Sequence, residues 1–165
     1  MIITETERLI IEEAEVEDAP FFFDLLNSPN WIQYIGDREI RTLNDAENYV
    51  TKSLHKNYKD LGYGLYKVSL KNGTPIGICG FLLRDYLDEP DIGFAILPKY
   101  QRNGYITEAA KACMLKARDW GFNKIYGITT ERNEASKSIL KKLGMDLVDR
   151  HPDEEILLIY SVRLL

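Results

Sequence analysis

Cysteine and histidine are scarce in this chain of 165 residues, with two of each. Cys79 and Cys113 belong to no C-x-x-C or metal-spaced cluster, and both lie inside apolar patterns. They read as buried, reduced thiols of a cytoplasmic protein, which argues against a disulfide framework. His55 and His151 stand far apart in polar surroundings, so no metal centre is expected. No apolar run approaches the ~18 residues that cross a bilayer. The start, Met1-Ile2-Ile3-Thr4-Glu5, lacks the regions of a signal peptide, so no membrane partner is expected. Basic residues are not in excess: Lys and Arg number 21 against 26 Asp and Glu, a net charge of −5. That balance disfavours a nucleic-acid partner held through its phosphates and suits a cationic small molecule such as an amine. Glycine is not arranged as G-x-G-x-x-G or as G-x-x-x-x-G-K-[ST], so neither a dinucleotide fingerprint nor a P-loop is present.

The chain alternates instead between helical and strand periodicities, and its length fits a single domain over residues 1–165. Residues 7 to 13 predict a strand. Residues 15 to 28 predict a helix with Val16, Ala19, Phe22, Phe23 and Leu26 on one face, ended by Pro29. Residues 30 to 42 read as a loop, and residues 43 to 60 as a second helix capped by Asn44. Tyr63 to Leu70 and Pro75 to Asp85 form a predicted hairpin around Asn72-Gly73. Tyr86 to Pro90 turns the chain into a central apolar strand, Asp91 to Leu97. A helix over Gly104 to Trp120, with Gly121 as its cap, a strand over Lys124 to Thr130 and a helix over Asn133 to Leu143 follow. Met145 to Asp149 and Ile156 to Leu164 close the chain as paired strands. The order βααβββαβαββ defines an α/β fold with a mixed, mostly antiparallel central sheet flanked by helices.

Between the central strand and the long helix lies Gln101-Arg102-Asn103-Gly104-Tyr105-Ile106-Thr107-Glu108-Ala109. A strand that feeds a glycine turn and a helix start makes an anion pocket. The first N–H groups of a helix have no intrahelical partner, and the macrodipole places positive potential there. The alternative is that Gly104 merely lets the chain turn.

A second constellation, Asn133-Glu134-Ala135-Ser136 through Leu143-Gly144-Met145, follows one strand later. Together the two stretches resemble the GCN5-related N-acetyltransferase (GNAT) superfamily over nearly the whole chain. Gln101 to Ile106 is similar to its [QR]-x-x-G-x-[GA] pyrophosphate signature, and Asn133 to Met145 resembles its later helix-opening motif. Thr107-Glu108-Ala109, Asn133-x-x-Ser136, Gly36-Asp37-Arg38 and Gly77 to Gly80 look most like the branch of ribosomal-protein N-terminal acetyltransferases and its bacterial members. The chain departs from the pattern at Ile106, where Gly or Ala is usual and a branched side chain would crowd phosphates. It also departs at Arg102, at Met145, and at Leu140, where many members carry a tyrosine general acid.

The resemblance implies an acetyl-CoA-dependent transferase acting on a primary amine, either a protein N-terminus or a small molecule, by direct attack in a ternary complex. Backbone groups of Ala95, Ile96 and Leu97 would hold the pantetheine arm of coenzyme A, with one N–H as oxyanion donor. Gln101, Arg102, Asn103, Gly104, Tyr105, Ile106 and Thr107 would take the pyrophosphate, and Asn133 and Ser136 would border the pantetheine. Asp91 is the candidate base and Ser136 the candidate acid, each with an ordinary structural role as its alternative. Trp31, Tyr34, Arg38, Tyr63 and Phe81 are candidates to line the acceptor pocket, or else core and surface residues. A homodimer is compatible with the resemblance. The competing expectations are a CoA-binding regulatory module without catalysis and a nucleotide-binding protein unrelated to CoA.

Overall fold

A computed structural model describes residues 1–151 and 157–164. An eight-stranded sheet runs through it in the order β1-β2-β3-β4-β5-β6-β8-β7. The strands are β1 (Ile2–Glu5), β2 (Leu9–Glu12), β3 (Leu65–Leu70), β4 (Pro75–Leu82), β5 (Asp91–Ile96), β6 (Lys124–Thr130), β7 (Asp146–His151) and β8 (Leu157–Arg163). Every neighbouring pair is antiparallel except β5 and β6. The mixed sheet is therefore as expected. The additional strand is β1, four residues of mixed polarity that carry no period long enough to read.

The helices are α1 (Ala19–Leu26), α2 (Pro29–Tyr34), α3 (Leu43–Tyr49), α4 (His55–Leu61), α5 (Tyr105–Asp119) and α6 (Glu134–Lys142). Pro29 opens α2 instead of only closing α1, because a proline lacks just the N–H that a first helical residue leaves unused. The segment expected as loop thus begins as a short helix. Asn44 is not the cap of α3. Thr42 is: its hydroxyl accepts the Asp45 N–H at 3.0 Å while the Asp45 carboxylate accepts the Thr42 N–H at 3.0 Å, a reciprocal capping box. The helix then widens into a π turn over Val50–Leu54 before α4.

Two cores cover the two sheet faces. One gathers Ala109, Cys113 and Ala117 of α5 and Leu140 of α6 on Tyr66, Cys79, Phe81 and Ile125. The other gathers Phe22, Leu25, Trp31, Ala46 and Leu54 on Leu65 and Ile78. Both cysteines are buried free thiols. The hydrogen bond that the Cys79 thiol donates to Cys113, together with burial, raises Cys79 well above the ordinary thiol range, so it stays protonated.

Of the glycines, Gly80 leaves the least room for a side chain. A Cβ there would stand 2.1 Å from the Gly64 carbonyl oxygen, which accepts the Phe81 N–H at 3.0 Å. The obstacle is backbone and cannot turn away. Gly80→Ala is expected to lower the unfolding free energy by roughly 2–4 kcal/mol, read from urea denaturation at unchanged slope.

Candidate active site

The site begins where β5 and β6 part. They pair only at Asp91↔Tyr126 and Ile92↔Gly127, although β5 continues to Ile96 and β6 to Thr130. On its other side β5 stays paired with β4 along its whole length. Leu97 donates its N–H to Ile76 O at 2.9 Å, and its carbonyl accepts the Tyr100 N–H at 3.0 Å. On the far edge, Pro90 O accepts the Tyr126 N–H at 2.9 Å. Backbone groups alternate along a strand, so the odd residues through Leu97 bond toward β4 and the even ones turn toward β6. Beyond Ile92 the groups that face the opening therefore belong to Phe94 and Ile96. This corrects the expectation for Ala95 and Leu97, whose main-chain groups are already spent on β4 or on the following turn. Alternation was visible in the sequence, but its phase depends on register.

At the wide end of the opening the chain turns through Pro98–Tyr100 into the loop before α5. Arg102 and Gly104 hold left-handed backbone, at φ +64° and +76°. The Asn103 amide ties the loop down, donating to Tyr100 O at 3.2 Å and to Gln101 O at 3.0 Å. Among the described residues, no backbone carbonyl accepts an N–H from residues 102 to 107; the first helical bond is Glu108 N–H to Gly104 O. A row of unpaired donors at the start of a fifteen-residue helix is an anion cradle. Ile106 is 6 % exposed, so its side chain turns into the protein and leaves the cradle uncrowded.

Asn133 caps α6, its Oδ1 accepting the Ser136 N–H at 3.1 Å. Beside it, the hydroxyls of Thr129 and Thr130 at the end of β6 are buried with no partner among the described residues. Leu140 sits lower, at the closed end: a Cβ on Gly127 would meet its Cδ2 at 2.5 Å. Ser136 lies one turn earlier in α6, ~6 Å along the helix axis toward the wide end. Asn133→Ala is expected to cost about 1 kcal/mol of stability by loss of the cap, measured by thermal melting.

Asp91 lies at the closed end and is 1 % exposed. Its Oδ1 accepts Arg84 Nε at 3.1 Å, and Arg84 is itself part-exposed. Burial pushes the carboxyl up to about 6, against the opposing pull of the Arg84 charge and hydrogen bond. Its neighbour across the pairing, Tyr126, donates its hydroxyl to Asp88 at 2.7 Å.

The acceptor candidates are divided by the sheet. Phe81 is fully buried on the α5 side, 6.1 Å from the Trp120 ring and 5.7 Å from Phe122, so it is core and not pocket. Tyr63 joins the same aromatic cluster, 5.0 Å from Phe122. Trp31 is 4 % exposed in the other core and presents no pocket surface, although its indole N–H lacks a partner among the described residues. Tyr34 is half-buried and Arg38 exposed.

Arg8 enters the site with no forewarning from local pattern. It follows β1, reaches Glu108 of α5 through Nε at 2.7 Å, and donates Nη1 to Asn103 O at 3.0 Å. The signal that would have found it is an arginine paired with an acid 100 residues away, and no spacing rule covers that distance.

A strand parted from its parallel neighbour thus leads to a row of free donors at the start of a long helix. The family model described as an acetyltransferase (GNAT) domain matches residues 8–146, and the chain belongs to that family. It is 26 % identical over 146 residues to the uncharacterized N-acetyltransferase YoaA of Bacillus subtilis, covering 86 % of this chain and 81 % of that one. In structure it is similar to the ribosomal L7/L12 α-N-protein acetyltransferase RimL in complex with coenzyme A, with TM-score 0.86 and 16 % identity, covering 99 % and 98 % of the two chains. It is also similar to the microcin C7 self-immunity acetyltransferase MccE in complex with acetyl-CoA and AMP, with TM-score 0.84 and 15 % identity over 96 % and 94 %. Among the described residues no helix is long and apolar enough to cross a membrane.

Proposed function

We propose that this chain transfers the acetyl group of acetyl-CoA to a primary amine, a protein N-terminus or a small molecule, by direct attack in a ternary complex. The observation that carries this is the unpaired edge of β5 beyond Ile92, which ends at the unpaired donors of residues 102 to 107. An extended amide-containing arm can pair with that edge where β6 has left it, and a diphosphate can occupy the cradle. Both features fit coenzyme A, which supplies the activated acetyl group. Phe94 and Ile96 present main-chain N–H and C=O groups to the arm, and one such N–H serves as oxyanion donor. The Asn133 amide and the orphan hydroxyls of Thr129 and Thr130 border the same space.

Asp91 is the base in this reading. An amine near pKa 10 is mostly protonated at pH 7, and a carboxyl at about 6 is ionised there yet basic enough to take its proton, directly or through water. Arg84, which donates to that carboxylate, favours its charged form against the effect of burial. Ser136, a turn away from the position of the missing tyrosine, is the acid: its hydroxyl relays to the leaving thiolate the proton that the amine nitrogen loses as the intermediate collapses. The rest of the rate comes from holding amine and thioester together.

Calorimetric titration with acetyl-CoA, followed by thiol release over a panel of peptides and small amines, tests the proposal. Micromolar-range binding with turnover on at least one amine is expected. No binding at millimolar acetyl-CoA would sink it, and binding without turnover on any amine would favour a regulatory CoA-binding module, for which Leu140 in place of a tyrosine is the motive.

A further inference from the structure

Glu108 stands in the first turn of α5, beside the unpaired donors of the cradle. A carboxylate there stabilises the helix but opposes an anionic ligand at the same end. In this protein the turn between β1 and β2 holds that charge. Thr6 donates its hydroxyl to Oε1 at 2.6 Å, and the Arg8 N–H donates to the same oxygen at 3.1 Å. The Arg8 guanidinium reaches Oε2 through Nε and Nη2, both at 2.7 Å. Burial alone would raise the Glu108 carboxyl, but these donors outweigh it and hold the group below its ordinary range.

The same guanidinium does two more things. Its Nη1 donates to the Asn103 carbonyl at 3.0 Å, and its Cζ lies 4.5 Å from the centre of the Tyr105 ring. Asn103 sits between the two left-handed residues, Arg102 at φ +64° and Gly104 at φ +76°. A non-glycine residue in that region costs ~1–2 kcal/mol, which the Asn103 amide from inside the loop and the Arg8 guanidinium from outside it help to offset. A Cβ on Gly104 would be 3.6 Å from Arg8 Nη2, so the guanidinium borders the cradle itself.

We propose that Arg8 is a positioning residue for diphosphate recognition. It neutralises Glu108 and fixes the Asn103 peptide, so that residues 102 to 107 present aligned N–H groups under net positive potential. The inference rests on the reading that this loop receives the diphosphate of coenzyme A.

The test compares CoA with pantetheine, which carries the thiol arm without any phosphate, by calorimetry on the wild-type chain and on Arg8→Gln, Arg8→Lys and Arg8→Gln/Glu108→Gln. Arg8→Gln is expected to weaken CoA about tenfold or more, 1.4 kcal/mol per decade, and to lower the CoA-to-pantetheine selectivity. Arg8→Lys falls between, because an ammonium keeps the charge but not the fork that spans Glu108 and Asn103. It also serves as the measurable variant if the glutamine chain does not stay folded. Glu108→Gln on the Arg8→Gln background is expected to recover part of the CoA affinity by removing the unbalanced charge. A purely structural Arg8 would weaken both ligands by one factor and gain nothing from the second substitution, and either result overturns the inference. A wild-type chain that binds no CoA overturns the parent reading instead.

Discussion

Asp91→Asn is expected to give a protein that is more stable at pH 7 and almost inactive. The folded chain keeps the Asp91 proton up to about pH 6, while the unfolded chain releases it near 3.8. Between those values the folded state binds more protons, so stability is full below the window and is lost as pH rises through it. A shift of that size corresponds to on the order of 3 kcal/mol at ~1.4 kcal/mol per pKa unit. The part-exposed Arg84 that loses its partner is hydrated in the variant, so a gain of about 1–3 kcal/mol remains. Asparagine has the same shape without the charge. Thermal melting from pH 4 to 7 reads the effect: the wild-type decline across the window should vanish in the variant, and its midpoint at pH 7 should lie higher. Removal of a general base costs typically 10²–10⁴-fold, so kcat/KM should fall at least about a hundredfold. The wild-type rate should in turn decline below about pH 6. Turnover within threefold of wild type would remove Asp91 from the chemistry, whatever the melting curve shows.

Gly104→Glu is expected to lose at least about a hundredfold in CoA affinity, roughly 2.7 kcal/mol. Two effects combine. Gly104 holds φ +76°, a conformation that costs ~1–2 kcal/mol for a residue with a Cβ. The new carboxylate also enters the cradle and lies within reach of Arg8, whose Nη2 is 3.6 Å from the added Cβ, so it competes with Glu108 for that guanidinium. Gly104→Ala separates the two effects, since it keeps the strain and adds no charge; its loss should be several-fold smaller. Calorimetry with CoA decides, and a glutamate variant that binds within threefold of wild type shows that the diphosphate is held elsewhere.

The turn from Gln101 into α5 was legible because its punctuation is local: a proline after an apolar strand, a glycine, then helical spacing. The cap at Asn133 was legible for the same reason, and its Oδ1 does accept the Ser136 N–H. The Thr42-x-x-Asp45 box was equally local, and Asn44 simply stood nearer the apolar stripe. What stayed hidden depends on three-dimensional phase. The spacing of Ala95, Ile96 and Leu97 shows that alternate residues share an edge. Only the bond from Leu97 N–H to Ile76 O tells which edge that is. Phe81 belongs to a strand whose two faces are both covered, so aromatic character could not choose between a pocket and the cluster with Trp120 and Phe122. Arg8 is the extreme case, a surface arginine by every local measure whose partners are supplied from 95 and 100 residues away.

The short pairing of β5 with β6 has a consequence beyond opening a slot. Among the described residues, two residue pairs form the strand seam between the sheet half built of β1 to β5 and the half built of β6, β8 and β7. On the proposed reading, a donor arm along the free edge of β5 would be mortar as well as reactant, because it would bond where β5 and β6 do not bond each other. Saturating ligand stabilises a fold by RT ln(1 + [L]/Kd), about 2.7 kcal/mol at a hundredfold excess over Kd. In this protein that stabilisation would fall on the join with the fewest residue pairs in the sheet. On the same reading, each turnover would return the two halves to the looser coupling they have alone as the spent donor leaves.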